Sequence, residues 1–424
     1  MPELIILADD LSGACEAAAT FLLRTTRIRV ALSVARGAGS VTNLSHVRVL
    51  ALDSDSRHLP AGVAAVRVGQ LLAEHLDGAP VALVKKVDSL LRGPLAAEVE
   101  QARLATGAQP VVATALPATG RSVVGGVVHV QGTPLAQTSL WHAEVRPAPA
   151  SVPEALAPLP CRVVPLDTVR GDARVLEAAL LACAAEGLVP VCDAETDDDL
   201  DAVVGAARRA LDQPLLVGSA GLVAAVARAF PADTLESTDS PAAPTATATG
   251  AAPAGRRPAA GVLVAVGSAA PSVGAQVDAV RVLADAVAEL DPDTLLSEPG
   301  RAAHQVAVAL EDATVALLVL DPAAPVRPER SAALAARLAD VAAHVAADRS
   351  LVLTGGQTAR AVLDALRVTH LEPLAVAHGA VTSRTDEGRL VITRPGSFGT
   401  PSSLAELTAT LLAGTVSDRA PEGA

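Results

Sequence analysis

The sequence predicts an α/β protein: two α/β domains with largely parallel sheets and a cleft between them. Three observations carry this. Short Val/Ile/Leu runs alternate with longer Ala/Leu-rich amphipathic segments, the pattern of β-α units. The pattern breaks at 236–258, "ESTDSPAAPTATATGAAPAGRRP", which has no apolar periodicity, and restarts with "GVLVAVGSAAPS". Glycine- and serine-bearing turns repeatedly follow apolar runs and precede helical ones, where ligands of parallel sheets gather. The expected division is a first domain over 1–235, a flexible linker over 236–258, a second domain over 259–414 and a frayed tail over 415–424.

In chain order, strands are expected at 3–8, 28–34, 47–53, 81–87, 111–115, 161–166, 188–193 and 214–218. Each is a buried-type run rich in Val, Ile and Leu. Helices are expected between them at 12–23, 61–76, 94–105, 174–186, 197–211 and 221–230, with Pro94 as the first helical residue. In the second half, strands are expected after residue 259, near 314–320 and at 350–354. A hairpin is expected near 376–382 and 389–394, followed by a last helix with Thr400 and Pro401 as N-cap and N1.

Composition narrows the function. The chain of 424 residues has no Tyr, one Trp and three Phe, too few aromatics for base-stacking platforms. Its net charge of −13 disfavours a nucleic-acid backbone as partner. The four cysteines, Cys15, Cys161, Cys183 and Cys192, show neither CxxC pairing nor finger spacing and read as reduced thiols. The short N-terminal apolar run ends in two aspartates and does not read as a signal peptide. The uncharged stretches near 122–143 and 258–277 carry Gly, Pro and polar residues and do not read as membrane spans. A soluble, cytoplasmic protein is expected, with no nucleic-acid or membrane partner; a homo-oligomer is left open.

Four stretches in the first half stand where strands run out. "LADDLSGA" sets Asp9 and Asp10 at the end of the first strand, facing a ligand or capping the next helix. "KKVDSLLRGP" brings Lys86, Asp88, Ser89 and Arg92 before a helix start; alternation sets Lys86 and Asp88 on one face. Lys86 and Arg92 suit an anion, Arg92 as a fork for a carboxylate. "LPATGRSVVGG" places Arg121 in a glycine-rich turn, and "VGSAGL" is a further strand-turn-helix passage. The plain structural alternatives are helix caps for Asp9 and Asp10, an ion-pair knot for K-x-D-S-x-x-R, and routine Gly-Ser turns.

The second half repeats one kind of turn three times: Gly267-Ser268, Gly355-Gly356-Gln357-Thr358 and Gly396-Ser397-Phe398-Gly399. Glycines admit a phosphate to backbone N–H groups, and a helix N-terminus favours its charge. Three such turns suggest a polyphosphate or nucleotide site. GxxxxGK[ST] is absent and no GxGxxG follows the first strand, which disfavours a Walker-type loop and a conventional Rossmann dehydrogenase. The nine histidines are scattered, without HExxH, and GxSxG is absent.

Taken in order, "ADDLSGA", "KKVDSLLRGP", "LPATGRSVVGG" with "VQGTPLAQT", "VGSAGL", the Gly-Ser at 267–268, "GGQTARAVLDAL" and "RPGSFG" resemble the four-carbon acid sugar kinase family over nearly the whole chain. The resemblance implies ATP-dependent phosphorylation of the terminal hydroxyl of a sugar acid such as threonate, erythronate or 3-oxo-tetronate. It puts the sugar acid in the first domain and ATP in the second, with ATP contacts on Ser268, on Gly355 to Thr358 and on the turn of Gly396 and Gly399. Mg²⁺ is implied by the ATP chemistry, with its ligands unnamed. Leu90 stands where the family commonly has Thr, Gln357 where an acidic residue is common, and 127–150 matches loosely.

On this reading Asp10 or Asp88 takes or orients the proton of the attacking hydroxyl. Asp9, Lys86, Ser89, Arg92 and Arg121 hold the acid or neutralise the transferring group. The competing readings are a kinase for a different small hydroxy acid, separated by a substrate panel, and a catalytically silent sensor, marked by sugar-acid binding without ADP formation.

Overall fold

The computed structural model describes residues 2–32, 44–76, 81–141, 144, 146–233, 261–267, 273–321, 323–325, 327–346, 348–396 and 399–414. The segment expected as a linker at 236–258, Ser268 and the tail expected at 415–424 lie outside the described residues.

The strands are β1 (Leu4–Ala8), β2 (Ile28–Leu32), β3 (Val49–Asp53), β4 (Ala82–Lys86), β5 (Gln109–Ala113), β6 (Arg121–Val124), β7 (Val127–Val130), β8 (Thr133–Pro134) and β9 (Cys161–Val164). They continue with β10 (Val189–Cys192), β11 (Pro214–Gly218), β12 (Val262–Val266), β13 (Ala286–Leu290), β14 (Val315–Leu320), β15 (Ser350–Thr354), β16 (His370–Ala377), β17 (Ala380–Thr385) and β18 (Leu390–Arg394). In the first half, β2-β3-β1-β4-β11-β5-β10-β9 are parallel neighbours; in the second, β13-β14-β12-β15-β18 are. The expected two largely parallel blocks are present. They join edge to edge through antiparallel β18-β17-β16, with β16 meeting β2 at His370–Ala31 and Leu371–Val30. Among the described residues the result is one hydrogen-bonded sheet of 15 strands.

Burial explains the apolar runs. Every residue of β1, β3, β12 and β15 is buried, because helices cover both faces of a parallel sheet. The helix Leu11–Ala19 packs on β1, β2 and β3 and also on β16, β17 and the helix Gly356–Ala365. Wedged between the halves, it is built of small residues, Ser12, Gly13, Ala14, Cys15, Ala17 and Ala18, all buried. The helix Asp197–Ala210 is fixed by local chemistry instead. Thr196 and Asp199 form a capping box, and three aspartates in the first turn oppose Arg208 and Arg209 in the last.

Register lines up the strand ends. Ala8 stands opposite both Asp53 and Lys86, and Lys86 opposite Gly218. In the second half Thr354 stands opposite both Val266 and Arg394. Asp9, Lys86, Gly267, Gly355 and Pro395 therefore sit at the carboxyl ends of neighbouring strands, where an open α/β sheet places its ligands.

Four expectations need correction. Residues 376–382 are not a strand: His378 and Gly379 form the turn between β16 and β17, with φ of 51° and 69°. That is the left-handed pair of a two-residue hairpin, and the strand before it begins at His370. Strand β13 was not anticipated. The last helix runs Ser403–Leu412 with Ser402 at its N-cap, so Thr400 and Pro401 precede it; Thr400 N–H donates to Ser403 Oγ at 2.8 Å. Pro94 is the N-cap, not the first residue, of the helix Leu95–Thr106.

Candidate active site

Asp9 and Asp10 share one guanidinium. Arg57, from the loop after β3, donates from Nε and Nη2 to Asp9 at 2.7 and 2.9 Å, and from Nη1 and Nη2 to Asp10, each at 2.8 Å. The loop is pinned by backbone bonds from Ser56 and Arg57 N–H to the Asp9 carbonyl. Burial alone would raise the Asp9 carboxyl, but Arg57, Lys85 and Lys86 outweigh it and hold the group down at about 2. Asp10 also caps the helix Leu11–Ala19, accepting from Gly13 N–H at 2.9 Å. The cap reading holds for Asp10 alone, and both carboxylates line the cleft.

Beneath this pair, Lys85 is wholly buried and bonds Glu98 at 2.9 Å, and its ammonium also donates to the Lys86 carbonyl at 3.1 Å. Ser56 Oγ donates to the other Glu98 oxygen. Lys86 points the opposite way, as alternation predicts; a Cβ at Gly13 would stand 2.6 Å from its Nζ and 2.7 Å from Asp10 Oδ1. The strand ends at Lys86, so Asp88 is placed by a turn, not by alternation. Its Oδ2 accepts from Leu90 and Arg92 N–H at 3.2 and 3.3 Å, with Leu91 at a φ of 63°. Arg92 grips Asp88 with Nε and Nη2 at 2.7 and 2.8 Å. Burial opposes the charge on Asp88, but Arg92, Arg57 and Lys86 prevail and hold the carboxyl far below the usual range. Arg121 opens β6 in a small sheet, β6-β7-β8, and its Nη1 donates to Ser89 Oγ while its buried Nε has no partner.

The second half closes on the same place. A Cβ at Gly356 would stand 3.0 Å from Ser12 Oγ and 3.1 Å from Asp10 Oδ2. Gly267 abuts Thr358: a Cβ there would stand 2.1 Å from Thr358 Oγ1, so only glycine fits. Arg360, one turn into the helix, bonds Asp53 across the halves at 2.6 Å and Asp364 at 3.0 Å. Burial pushes the Asp53 carboxyl up to about 6 against the pull of Arg360.

One cleft of about 430 Å³ gathers these groups. Of the residues singled out in sequence, Asp9, Asp10, Arg92, Gly267, Gly355, Gly356, Gln357, Thr358 and Gly396 line it. Lys86, Asp88, Ser89, Arg121 and Gly399 stand outside its lining, and Ser268 is not described. Arg57, His58 and Arg360 line it without having been anticipated. The signal for Arg57 was its place in "DSDSRH", directly after an apolar strand. Among the described residues no three His, Cys, Asp or Glu side chains gather as a metal site. Of the carboxylates that line the cleft, Asp9, Asp10 and Asp55 are paired with arginines, and Asp321 accepts only from Ala323 N–H with no second carboxylate gathered beside it, so the described residues do not form a magnesium cage; the phosphates of a nucleotide would bring that ion.

Paired carboxylates and cations from one half face glycine turns from the other across a shared cleft. The class of enzyme comes from the comparisons. Residues 4–226 match the family of sugar-binding N-terminal domains and residues 263–404 that of nucleotide-binding C-terminal domains. The chain is 35% identical to a D-threonate kinase of Cupriavidus necator, covering 94% of this chain and 96% of the relative. It is 33% identical to a D-threonate kinase of Bordetella bronchiseptica, covering 94% and 95%. A solved Salmonella typhimurium protein shares the fold, with a TM-score of 0.71 at 21% identity over 96% of this chain and 99% of that one. The chain belongs to the four-carbon acid sugar kinase family. Among the described residues no helix is long and apolar enough to cross a membrane.

Proposed function

We propose that this protein is a cytoplasmic kinase that transfers the γ-phosphoryl group of ATP to the terminal hydroxyl of a four-carbon sugar acid, with D-threonate the first candidate. The observation that carries the reading is the approach of Gly356 to Asp10 and Ser12, which brings the nucleotide-type turn against the paired aspartates. Gly356 to Thr358, Gly267, Gly396 and Gly399 present backbone to the phosphates, with Gly355 shaping the turn while its own N–H is held by the Arg394 carbonyl, and with Ser268 beside them by family resemblance. Magnesium, carried on the nucleotide, supplies charge neutralisation when bound.

Asp10 is the better placed of the two candidate proton acceptors. Its side chain keeps 20% of its surface open to the cleft, and Arg57 orients it. Asp88 is committed to Arg92 and two backbone N–H groups, so its role is to present Arg92. Asp9 fixes Arg57, and Lys86 flanks Asp10. Arg92, Arg121 and Ser89 form the cationic and hydroxyl rim for the acid's carboxylate. A panel of D-threonate, D-erythronate, 3-oxo-tetronate and unrelated hydroxy acids, read by ADP release with Mg²⁺, tests the reading. Turnover on one four-carbon acid is expected. Turnover confined to other acids, or sugar-acid binding without ADP, replaces it with one of the alternatives.

A further inference from the structure

Arg394 ends β18, and its side chain is completely buried. A buried guanidinium ordinarily meets a carboxylate, because an uncompensated interior charge is costly. This one does not: Nη2 donates to the Gln276 amide oxygen at 2.5 Å, while among the described residues Nε and Nη1 have no partner. Among the described residues no carboxylate stands within ion-pair distance of it. Burial accordingly lowers its pKa with no opposing charge.

Its surroundings are the turns assigned to the nucleotide. The Arg394 carbonyl accepts from Gly355 N–H at 2.9 Å. Pro395 and Gly396, the next two residues, line the cleft. Nη1 lies against Gly399: a Cβ there, where φ is 96°, would stand 2.5 Å from it. The vacant N–H groups of a buried cation therefore belong to the residue next to backbone that lines the cleft.

Resting on the kinase reading, we propose that Arg394 is the counter-charge of the nucleotide phosphates, an unpaired cation kept in the apo protein to be neutralised when the polyphosphate settles in the cleft beside Gly356 and Gly396. An arginine kept for packing behaves oppositely, which makes the role testable by sign. Arg394→Met keeps most of the volume and removes the uncompensated charge.

The test measures apo melting temperature and calorimetric affinity for AMP, ADP and ATP, on wild type, Arg394→Met and Arg394→Lys. The apo Arg394→Met protein is expected to melt at or above the wild-type temperature. Its ATP affinity is expected to fall on the order of ten- to a hundredfold, the worth of a charge-assisted bond or two. AMP should lose less than ATP, and Arg394→Lys, which keeps charge without the fork, should fall between. A lower apo melting temperature or a failure to fold in Arg394→Met, with Arg394→Lys binding ATP like wild type, makes Arg394 structural and overturns the proposal. Equal ATP affinity in a folded Arg394→Met also overturns it while leaving the kinase reading intact. Wild-type protein that binds no ATP overturns both.

Discussion

Arg57→Met removes the one guanidinium shared by Asp9 and Asp10. Four N–H···O bonds of 2.7–2.9 Å disappear, and two largely buried carboxylates face each other without their cation. Breaking a buried pair from one side costs about 3–5 kcal/mol. The pH dependence follows from Asp9, whose pKa falls from 3.8 to about 2 on folding. A depressed carboxyl stabilises the fold above its unfolded pKa, and that stability is lost as pH falls from about 4 through about 2; here it is worth about 2–3 kcal/mol. Without Arg57, burial raises the Asp9 carboxyl, which then takes up a proton in milder acid and relieves its own penalty. Urea denaturation of both proteins at pH 7.5 and at pH 4 measures this. The variant should be several kcal/mol less stable at pH 7.5 and lose much of that deficit at pH 4. A deficit below about 1 kcal/mol at pH 7.5, or one equal at both pH values, would refute the shared-cation account.

Gly356→Val should reduce turnover on the order of a hundredfold or more and raise KM for both substrates, because its Cβ meets Ser12 and Asp10 as well as the turn; steady-state kinetics with each substrate varied checks this. An effect confined to ATP would separate the two sites. Arg92→Lys should raise KM for the acid with ATP affinity unchanged, since lysine cannot reproduce the two-point grip on Asp88; equal loss for both ligands would place Arg92 on the phosphates. Lys85→Met should destabilise the fold by about 3–5 kcal/mol by stranding buried Glu98, and Lys85→Met/Glu98→Leu should recover most of it in urea melts.

The strand positions were legible because both faces of the parallel strands are buried, which writes them as continuous apolar runs. So was the cleft's outline, because Asp9, Gly267 and Gly355 stand at or next to strand ends, where local pattern and ligand geometry coincide. Strand β13, Ala-Val-Ala-Glu-Leu, carries two helix-favouring alanines and a glutamate, and only its pairing with β14 makes it a strand. The β16–β17 turn was missed because Val376 and Val381 read as one apolar run across His378-Gly379. Arg57 and Arg360 were illegible for a different reason. Their partners are distant in sequence: Asp9 and Asp10 reach Arg57 only through strand pairing within the first half, so its place after a strand marks a position and not a partner, and Asp53 reaches Arg360 only where the two halves meet.

The central claim is phosphoryl transfer across the cleft from ATP to a four-carbon acid. Its most direct test is phosphorus NMR of the protein mixed with Mg²⁺-ATP and D-threonate, repeated with D-erythronate and 3-oxo-tetronate. For at least one acid the ATP γ-phosphate signal should give way to equal amounts of ADP and a new phosphomonoester on the acid's terminal carbon, and Asp10→Asn should suppress the conversion. Unchanged ATP with all three acids, or ADP accompanied only by inorganic phosphate, would contradict the account.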